Sequence, residues 1–264
     1  LLTQPEEASC SEEDCAVSFD HAVSRLGWCV QNFRGYQKKI LRDAFFEAFE
    51  TYETGCAPVI QELNSGVRPE RQTELLERAA EAMLDELSAG WEKKNDMEDE
   101  KVVLAIFFVP MVRKLQLPVS EEFVSLLQKK WVERYPKSPF YLGDYESISG
   151  GFRKKFLGLC FITTAVCQEL GKPDDCAELT AFRAFRDGYL AAQPDGEALI
   201  REYYNIAPGI VTCINTCSDR HASYERIREQ YLTPCYEDLL AGRNADCKTR
   251  YVQMVRDLER KYLN

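Results

Sequence analysis

Apolar residues recur at the spacing of an α-helix along almost the whole chain, and this period constrains the fold more than any other feature. In the segment AVSFDHAVSRLGWCVQNFR (16–34), for example, Phe19, Val23, Leu26 and Val30 fall on one stripe. The chain has no sustained alternation of period two, which a half-buried β-strand would show, and no internal repeat. The pattern predicts an all-α fold, a multi-helix bundle.

One segment near the middle of the chain interrupts the helical period. Residues 136–152 (PKSPFYLGDYESISGGF) contain two prolines and three glycines, which favour turns over helices. We therefore predict a boundary here, with an N-terminal helical domain over residues 1–145 and a cysteine-rich helical module over residues 146–264.

Charge and hydropathy indicate which class of partner and which cellular compartment to expect for this chain. The net charge of −10 argues against a nucleic-acid partner, because phosphate binding requires a basic surface. The longest apolar runs, residues 102–111 and 157–167, are shorter than the roughly 20 residues of a membrane-spanning helix. The opening segment LLTQPEEASCSEEDC is acidic and does not resemble a secretory signal. We expect a soluble, cytoplasmic protein without a membrane span.

The chain contains eleven cysteines, an odd number. Most of them lie inside helical patterns rather than in the turn-rich context of a disulfide scaffold. Free cysteine is among the most buried residue types and packs like a small hydrophobic side chain. The sequence therefore favours reduced cysteines that mostly pack in the core.

The segment CFITTAVC (160–167) raises the possibility that some thiols have a chemical role. A helix over residues 158–170 would place Cys160, Thr164 and Cys167 on one face. Gly171 is expected to end this helix, and Asp175 to cap the next one, with Cys176 in its first turn. A thiol at that position would have a lowered pKa, which suits a redox thiol or a metal ligand. The alternative is that Cys176 simply packs beside Cys160.

A second cluster follows Pro208, which is expected to begin a long helix over residues 209–232. In that helix Cys213, Cys217 and His221 are spaced i, i+4, i+8, and their sulfur and imidazole groups could bind zinc or a cuprous ion. Three ligands from one straight helix need a fourth from elsewhere: Cys235, Cys247 or the cluster of Cys160, Cys167 and Cys176. The alternative is that these are core positions and that the protein has no cofactor.

The helix TAFRAFRDGYL (180–190) contains one arginine on an apolar stripe. Arg186 shares that stripe with Leu179 and Phe182, so its guanidinium requires an internal partner or an anionic ligand. We expect an internal ion pair. Arg183 and Asp187, at i and i+4, are expected to pair on the surface.

Three of these stretches together resemble a known family. The segments CFITTA (160–165), FRAFRDGYL (182–190) and GEALIREYYNIAP (196–208) are similar to the CFI-box C-terminal domain of bacterial proteins, over roughly residues 157–211. The resemblance implies a bacterial origin and a helical module, and it supplies no catalytic residue. The family's marked positions correspond to the following residues of this chain: Cys160, Arg183, Arg186, Asp187, Tyr203 and Tyr204. This chain departs from the family pattern at Thr163, where alanine is usual, and in continuing as charged helices over 212–264.

Three functions are consistent with these patterns. The chain has no GxSxG or HExxH motif, no glycine-rich phosphate loop and only two histidines, His21 and His221. We favour a non-enzymatic helical interaction or scaffold protein that binds a protein partner. The alternative is a protein that binds zinc or copper, or senses redox state, through the 160/167/176 and 213/217/221 clusters. A third hypothesis is an enzyme that uses a Cys176 thiolate.

Overall fold

The computed structural model describes residues 12–93, 95–153, 160–217 and 219–264. These residues fold into packed α-helices, which confirms the all-α prediction. The described part of the chain contains no β-strand, and its one extended pairing is an isolated antiparallel bridge between Phe140 and Cys217. The helices of the first half are α1 (Glu12–Leu26), α2 (Trp28–Gln31), α3 (Phe45–Gly66), α4 (Gln72–Ala89), α5 (Asp96–Val103), α6 (Val109–Lys114), α7 (Ser120–Arg134) and α8 (Tyr145–Arg153).

The second half has six α-helices within its described residues: α9 (Phe161–Glu169), α10 (Ala177–Ala184), α11 (Gly196–Asn215), α12 (Arg220–Ile227), α13 (Thr233–Leu240) and α14 (Asn244–Tyr262). In the part of the chain that the structure describes, three π-helical turns extend or join helices, at Leu104–Phe108, Phe185–Leu190 and Arg228–Leu232. Such turns widen the helix by one residue and are frequent at functional sites. None of the described helices has the length and apolar character that a membrane crossing requires.

An aromatic cluster forms the core of the first half. Phe107, in the first π-helical turn, contacts the rings of Tyr36, Phe45, Phe49 and Tyr52, with centroids 5.3 to 6.2 Å apart. All of these rings except that of Tyr36 are buried. Their combined apolar area supplies a large part of the hydrophobic stabilisation of this half.

The hydrophobic core continues across the predicted boundary at residue 145. The Phe152 ring of α8 stacks on Phe45 of α3, with centroids 4.3 Å apart. The backbone N–H of Arg42 donates to the carbonyl of Asn205 at 3.0 Å. At Gly209 of α11 an added Cβ would lie 1.9 Å from the carbonyl oxygen of Ile40, so this close approach requires glycine. The two halves therefore share one core, and the division into domains stays a prediction.

The predicted long helix over residues 209–232 is wrong. Pro208 lies inside α11, which ends at Asn215, and the chain becomes helical again at Arg220. Between them, Thr216 accepts a hydrogen bond from Tyr141 N–H at 3.4 Å, and Cys217 forms the bridge to Phe140. Pairing with this distant segment ends the helix, although the apolar spacing continues through it.

The end of α9 agrees with the sequence, whereas its beginning and the start of α10 do not. Gly171 has φ +68°, and Lys172 N–H donates to the Cys167 carbonyl at 2.9 Å, as in a Schellman motif. The predicted start at residue 158 lies outside the described residues, and the described helix begins at Phe161, preceded by Cys160 as its N-cap. Cys176, not Asp175, is the N-cap of α10.

Helices α9, α10, α11 and α14 of the second half come together around one space. Helix α9 packs against α10, α11 and α12, while α14 packs against α11 and α13. The π-helical turn Phe185–Leu190 contacts both α11 and α14. As a result, the N-terminus of α9, this turn and the neighbouring faces of α11 and α14 come together.

Candidate binding site at the cysteine and arginine of the motif

Cys160 lies at the N-terminus of α9 and is 4% exposed. Its sulfur accepts a hydrogen bond from Nη1 of Arg186 at 3.6 Å. Burial raises the pKa of the Cys160 thiol, and the positive charges of Arg186 and Arg183 oppose that shift without cancelling it. Cys160 is therefore a neutral thiol at physiological pH.

Arg186 is held by the residue that follows it in the chain. Its Nε and Nη2 atoms donate to Oδ1 and Oδ2 of Asp187 at 2.6 and 2.7 Å, which is a bidentate pair. The Arg186 side chain is 9% exposed, whereas that of Asp187 is 64% exposed. These hydrogen bonds lower the pKa of Asp187. Arg186 therefore has a carboxylate partner within the chain, as expected, although that partner lies at the surface and not in the core.

The predicted surface pair of Arg183 with Asp187 is wrong. Arg183 instead donates to the carboxylate and the carbonyl of Asp174, both at 2.8 Å. The i, i+4 rule applies to a regular α-helix, but the π-helical turn that begins at Phe185 lies between the two residues and changes their angular offset.

The paired tyrosines of the motif, Tyr203 and Tyr204, contact the N-terminal turn of α9 and Arg186 respectively. The Tyr203 hydroxyl accepts a hydrogen bond from the backbone N–H of Ile162 at 2.9 Å, one of the donors that the first turn of α9 leaves free. Tyr251 donates to Tyr203 at 3.3 Å, and its hydroxyl also lies 3.3 Å from Thr163 Oγ1. Burial raises the pKa of Tyr204, and the positive charge of Arg186 opposes that shift.

Sequence reasoning missed Tyr251, which lies 48 residues after Tyr203 and outside the motif. The available signal was its place in α14, where Cys247, Met254, Val255 and Leu258 also face inward at helical spacing. That spacing predicts burial but does not identify which hydroxyl a buried tyrosine contacts.

Cys160, Arg186, Tyr203 and Tyr251 are among the residues that line an apolar cavity of about 50 Å³, which opens to the surface. The charged groups in its lining are paired with each other or with a neighbour: Arg186 binds Asp187, and Arg256 binds Glu202 through two hydrogen bonds of 2.5 and 2.7 Å. The lining consists of Cys160, Phe182, Phe185, Arg186, Leu190, Leu199, Ile200, Glu202, Tyr203, Tyr251, Val252, Val255 and Arg256.

The six residues considered as metal ligands do not form one site. Cys160 contacts Arg186, Cys167 contacts Cys176, and Cys217 donates to the Cys213 carbonyl at 3.2 Å. His221 is exposed and lies 3.3 Å from Glu169. Within the described ranges, no three histidine, cysteine, aspartate or glutamate residues are positioned to hold a metal ion.

Most of the described cysteines are buried free thiols, as the packing interpretation predicts. The buried ones are Cys29, Cys56, Cys160, Cys167, Cys213, Cys235 and Cys247. Hydrogen bonding to Cys56 and burial raise the pKa of Cys29, and Cys247 is affected in the same way by Cys235.

Cys176 contacts Cys167, not Cys160 as the packing alternative assumed, with the two sulfurs 3.8 Å apart. The two histidines bind elsewhere: His21 lies 2.7 Å from Glu62, and His221 binds Glu169. Across the residues that the structure describes, no imidazole is hydrogen-bonded to a thiol, which is the arrangement that activates a catalytic cysteine.

Comparisons of the chain with family models, with curated proteins and with solved structures found no match. The resemblance to the CFI-box domain therefore rests on the motif residues, and its first three positions, 157–159, lie outside the described residues.

Proposed function

We propose that the chain is a non-enzymatic helical binding protein whose cavity beside Cys160 accepts one apolar side chain of a protein partner. The observation that carries this proposal is the chemistry of the cavity lining: its surface is apolar, and its charged groups already have partners. Three residues at the marked positions of the CFI-box resemblance, Cys160, Arg186 and Tyr203, would serve to build the cavity.

The polar groups of the cavity are satisfied without a ligand. Arg186 binds Asp187 and Cys160, and the Tyr203 hydroxyl binds Ile162 N–H and Tyr251. A polar ligand would have to lose its hydration without gaining equivalent hydrogen bonds, which is unfavourable. An apolar group gains the hydrophobic free energy of burial and leaves the existing network intact.

The size of the cavity favours a side chain over a free small molecule. Its volume of about 50 Å³ is far below the roughly 300–1,000 Å³ of typical small-molecule sites. Protein interfaces often depend on single anchor residues in well-packed pockets of this kind. The half-buried side chains of Leu190, Leu199, Ile200 and Val252 surround the opening and would contact the rest of the partner.

The thiol chemistry of the site supports binding over catalysis. A nucleophilic cysteine needs a lowered pKa or an adjacent base, and burial has the opposite effect on Cys160. The acidic net charge of −10 supports a protein rather than a nucleic acid as partner, and we place this protein in the cytoplasm, where thiols stay reduced.

A pair of identical substitutions tests the proposal. Val252→Trp fills the opening of the cavity, and Val132→Trp makes the same change on the remote helix α7, where Val132 is 38% exposed. A library of displayed peptides is selected on the unsubstituted protein, and the enriched peptides are then measured against both variants by isothermal titration calorimetry.

We expect enriched peptides to share one aliphatic anchor, to lose binding with Val252→Trp and to keep it with Val132→Trp. Replacing the anchor by alanine in the peptide is expected to abolish binding. The proposal is wrong if selection yields no enriched peptide, or if the enriched peptides bind the Val252→Trp variant as well as the unsubstituted protein.

A further inference from the structure

Cys167 and Cys176 are brought together by the turn that joins α9 to α10. The Schellman motif at Gly171 reverses the chain, and the Lys172 N–H that completes it donates to the carbonyl of Cys167 itself. Cys176 N–H then donates to the Pro173 carbonyl at 3.1 Å, which fixes the end of the turn. Both cysteines therefore sit on backbone held by hydrogen bonds, with their sulfur atoms 3.8 Å apart.

Cys167 and Cys176 differ in their access to solvent from two other cysteine pairs of the described residues, Cys29 with Cys56 and Cys235 with Cys247. Cys167 is 4% exposed, and Cys176 is only partly buried. By contrast, Cys29 and Cys56 are 0% exposed, as are Cys235 and Cys247. An oxidant dissolved in water therefore reaches the first pair through Cys176, whereas the other two pairs require the core to open.

Charged groups also surround this pair. Lys172 forms an ion pair with Glu178, and Glu178 is in turn hydrogen-bonded to Cys176. Burial and then the neighbouring Cys176 raise the pKa of Cys167 to about 12. Cys167 is therefore a neutral thiol, and it lies beside the more accessible Cys176.

We infer that Cys167 and Cys176 are a modification site, a dithiol that a hydroperoxide converts to a reversible disulfide. In the first step the Cys176 sulfur attacks the peroxide oxygen, its thiol is oxidised to sulfenic acid, and the hydroperoxide is reduced to an alcohol or, for hydrogen peroxide, to water. In the second step the Cys167 sulfur attacks Cys176, the S–O bond breaks, the S–S bond forms, and water leaves with the Cys167 proton. A cellular dithiol reverses the reaction by thiol–disulfide exchange.

Little movement is needed for the second step. The sulfurs must approach from 3.8 Å to the bonding distance of roughly 2.05 Å. Both sulfurs lie at helix ends, Cys167 in the last turn of α9 and Cys176 at the N-cap of α10, so rotation of the two side chains can supply this change. The inference is independent of the cavity proposal, because neither cysteine lines that cavity.

The experiment uses the reduced full chain treated with hydrogen peroxide, followed by blocking of remaining thiols, digestion without reductant and mass spectrometry. We expect a cross-linked peptide that joins Cys167 to Cys176, with Cys29, Cys56, Cys235 and Cys247 blocked only after denaturation. Dithiothreitol is expected to remove the cross-link. In Cys167→Ser we expect a sulfenic acid at Cys176 that dimedone traps, and in Cys176→Ser the loss of both products.

Cys217→Ser is the matched control, because Cys217 is also partly buried but its sulfur donates to a carbonyl rather than facing an accessible thiol. This variant is expected to form the cross-link as the unsubstituted protein does. The inference is overturned if the unsubstituted protein shows Cys176 oxidised to sulfinic acid without a bridge, or if Cys167 pairs with any other cysteine. Since these readouts come from the unsubstituted chain, they hold even where a variant fails to fold.

Discussion

Replacing Tyr203 by phenylalanine tests how the motif supports α9. The substitution removes only the hydroxyl oxygen, which accepts hydrogen bonds from Ile162 N–H at 2.9 Å and from Tyr251 at 3.3 Å. Ile162 is buried, and the N-cap residue Cys160 makes no side-chain hydrogen bond to this turn. The Ile162 amide would therefore lose its partner in a site with poor access to water.

Two estimates give the size of the effect. Loss of a helix cap costs about 1 kcal/mol, and a buried donor left without a partner costs roughly 1–3 kcal/mol. We therefore expect Tyr203→Phe to reduce the free energy of unfolding by about 2 kcal/mol. For a chain of this size that corresponds to a fall in Tm of roughly 4–8 °C.

The assay is urea unfolding followed by circular dichroism, with Tyr141→Phe as the matched control. Tyr141 is 52% exposed, so its substitution is expected to change stability by less than about 0.5 kcal/mol. Amide hydrogen exchange at Ile162 should become faster in Tyr203→Phe alone. If the two variants are equally stable and Ile162 exchange is unchanged, the hydroxyl does not cap α9 and the reasoning is refuted.

Three further predictions follow from the geometry. Gly171→Ala is expected to lower the free energy of unfolding by roughly 1 kcal/mol because φ is +68° at that position. The control is Gly150→Ala in α8, which is expected to have no cost because the space around its Cβ position is open. Equal urea midpoints for the two variants would contradict this prediction. The disulfide between Cys167 and Cys176 is expected to raise the free energy of unfolding by roughly 2–3 kcal/mol, measured by unfolding the oxidised protein with and without reductant, and unchanged midpoints would argue against it. Arg186 lowers the pKa of Asp187, so this ion pair stabilises the fold fully above the unfolded pKa of about 3.9 and loses that contribution as pH falls through the lower folded pKa. Asp187→Asn should therefore be less stable than the unsubstituted protein at neutral pH and approach its stability in acid. A constant difference in stability across the titration would be inconsistent with the pair.

Local patterns in the sequence predicted the features that depend on local geometry. The helical period predicted the fold class. Gly171 predicted the end of α9 because the residue after the helix adopts the left-handed backbone conformation, which favours glycine. The place of Arg186 on an apolar stripe predicted an internal ion pair, since an unpaired buried guanidinium is unfavourable.

Other features depend on contacts between distant segments, which the period does not encode. The pairing of Cys217 with Phe140 ends α11, although the apolar spacing runs on. The π-helical turn at Phe185 redirects Arg183 to Asp174 because it shifts the register by one residue. The cavity itself arises only when α14 brings Tyr251 and Val252 to the motif.

Crystals of the protein pressurised with xenon give the most direct test of the cavity as an apolar site. Xenon binds in dry apolar cavities and does not displace the water of polar ones. We predict an anomalous peak bounded by Cys160, Phe182 and Val252, and no peak there in crystals of Val252→Trp. Ordered water bound to Arg186 in place of xenon would show a polar site and would contradict the proposed binding of an apolar side chain.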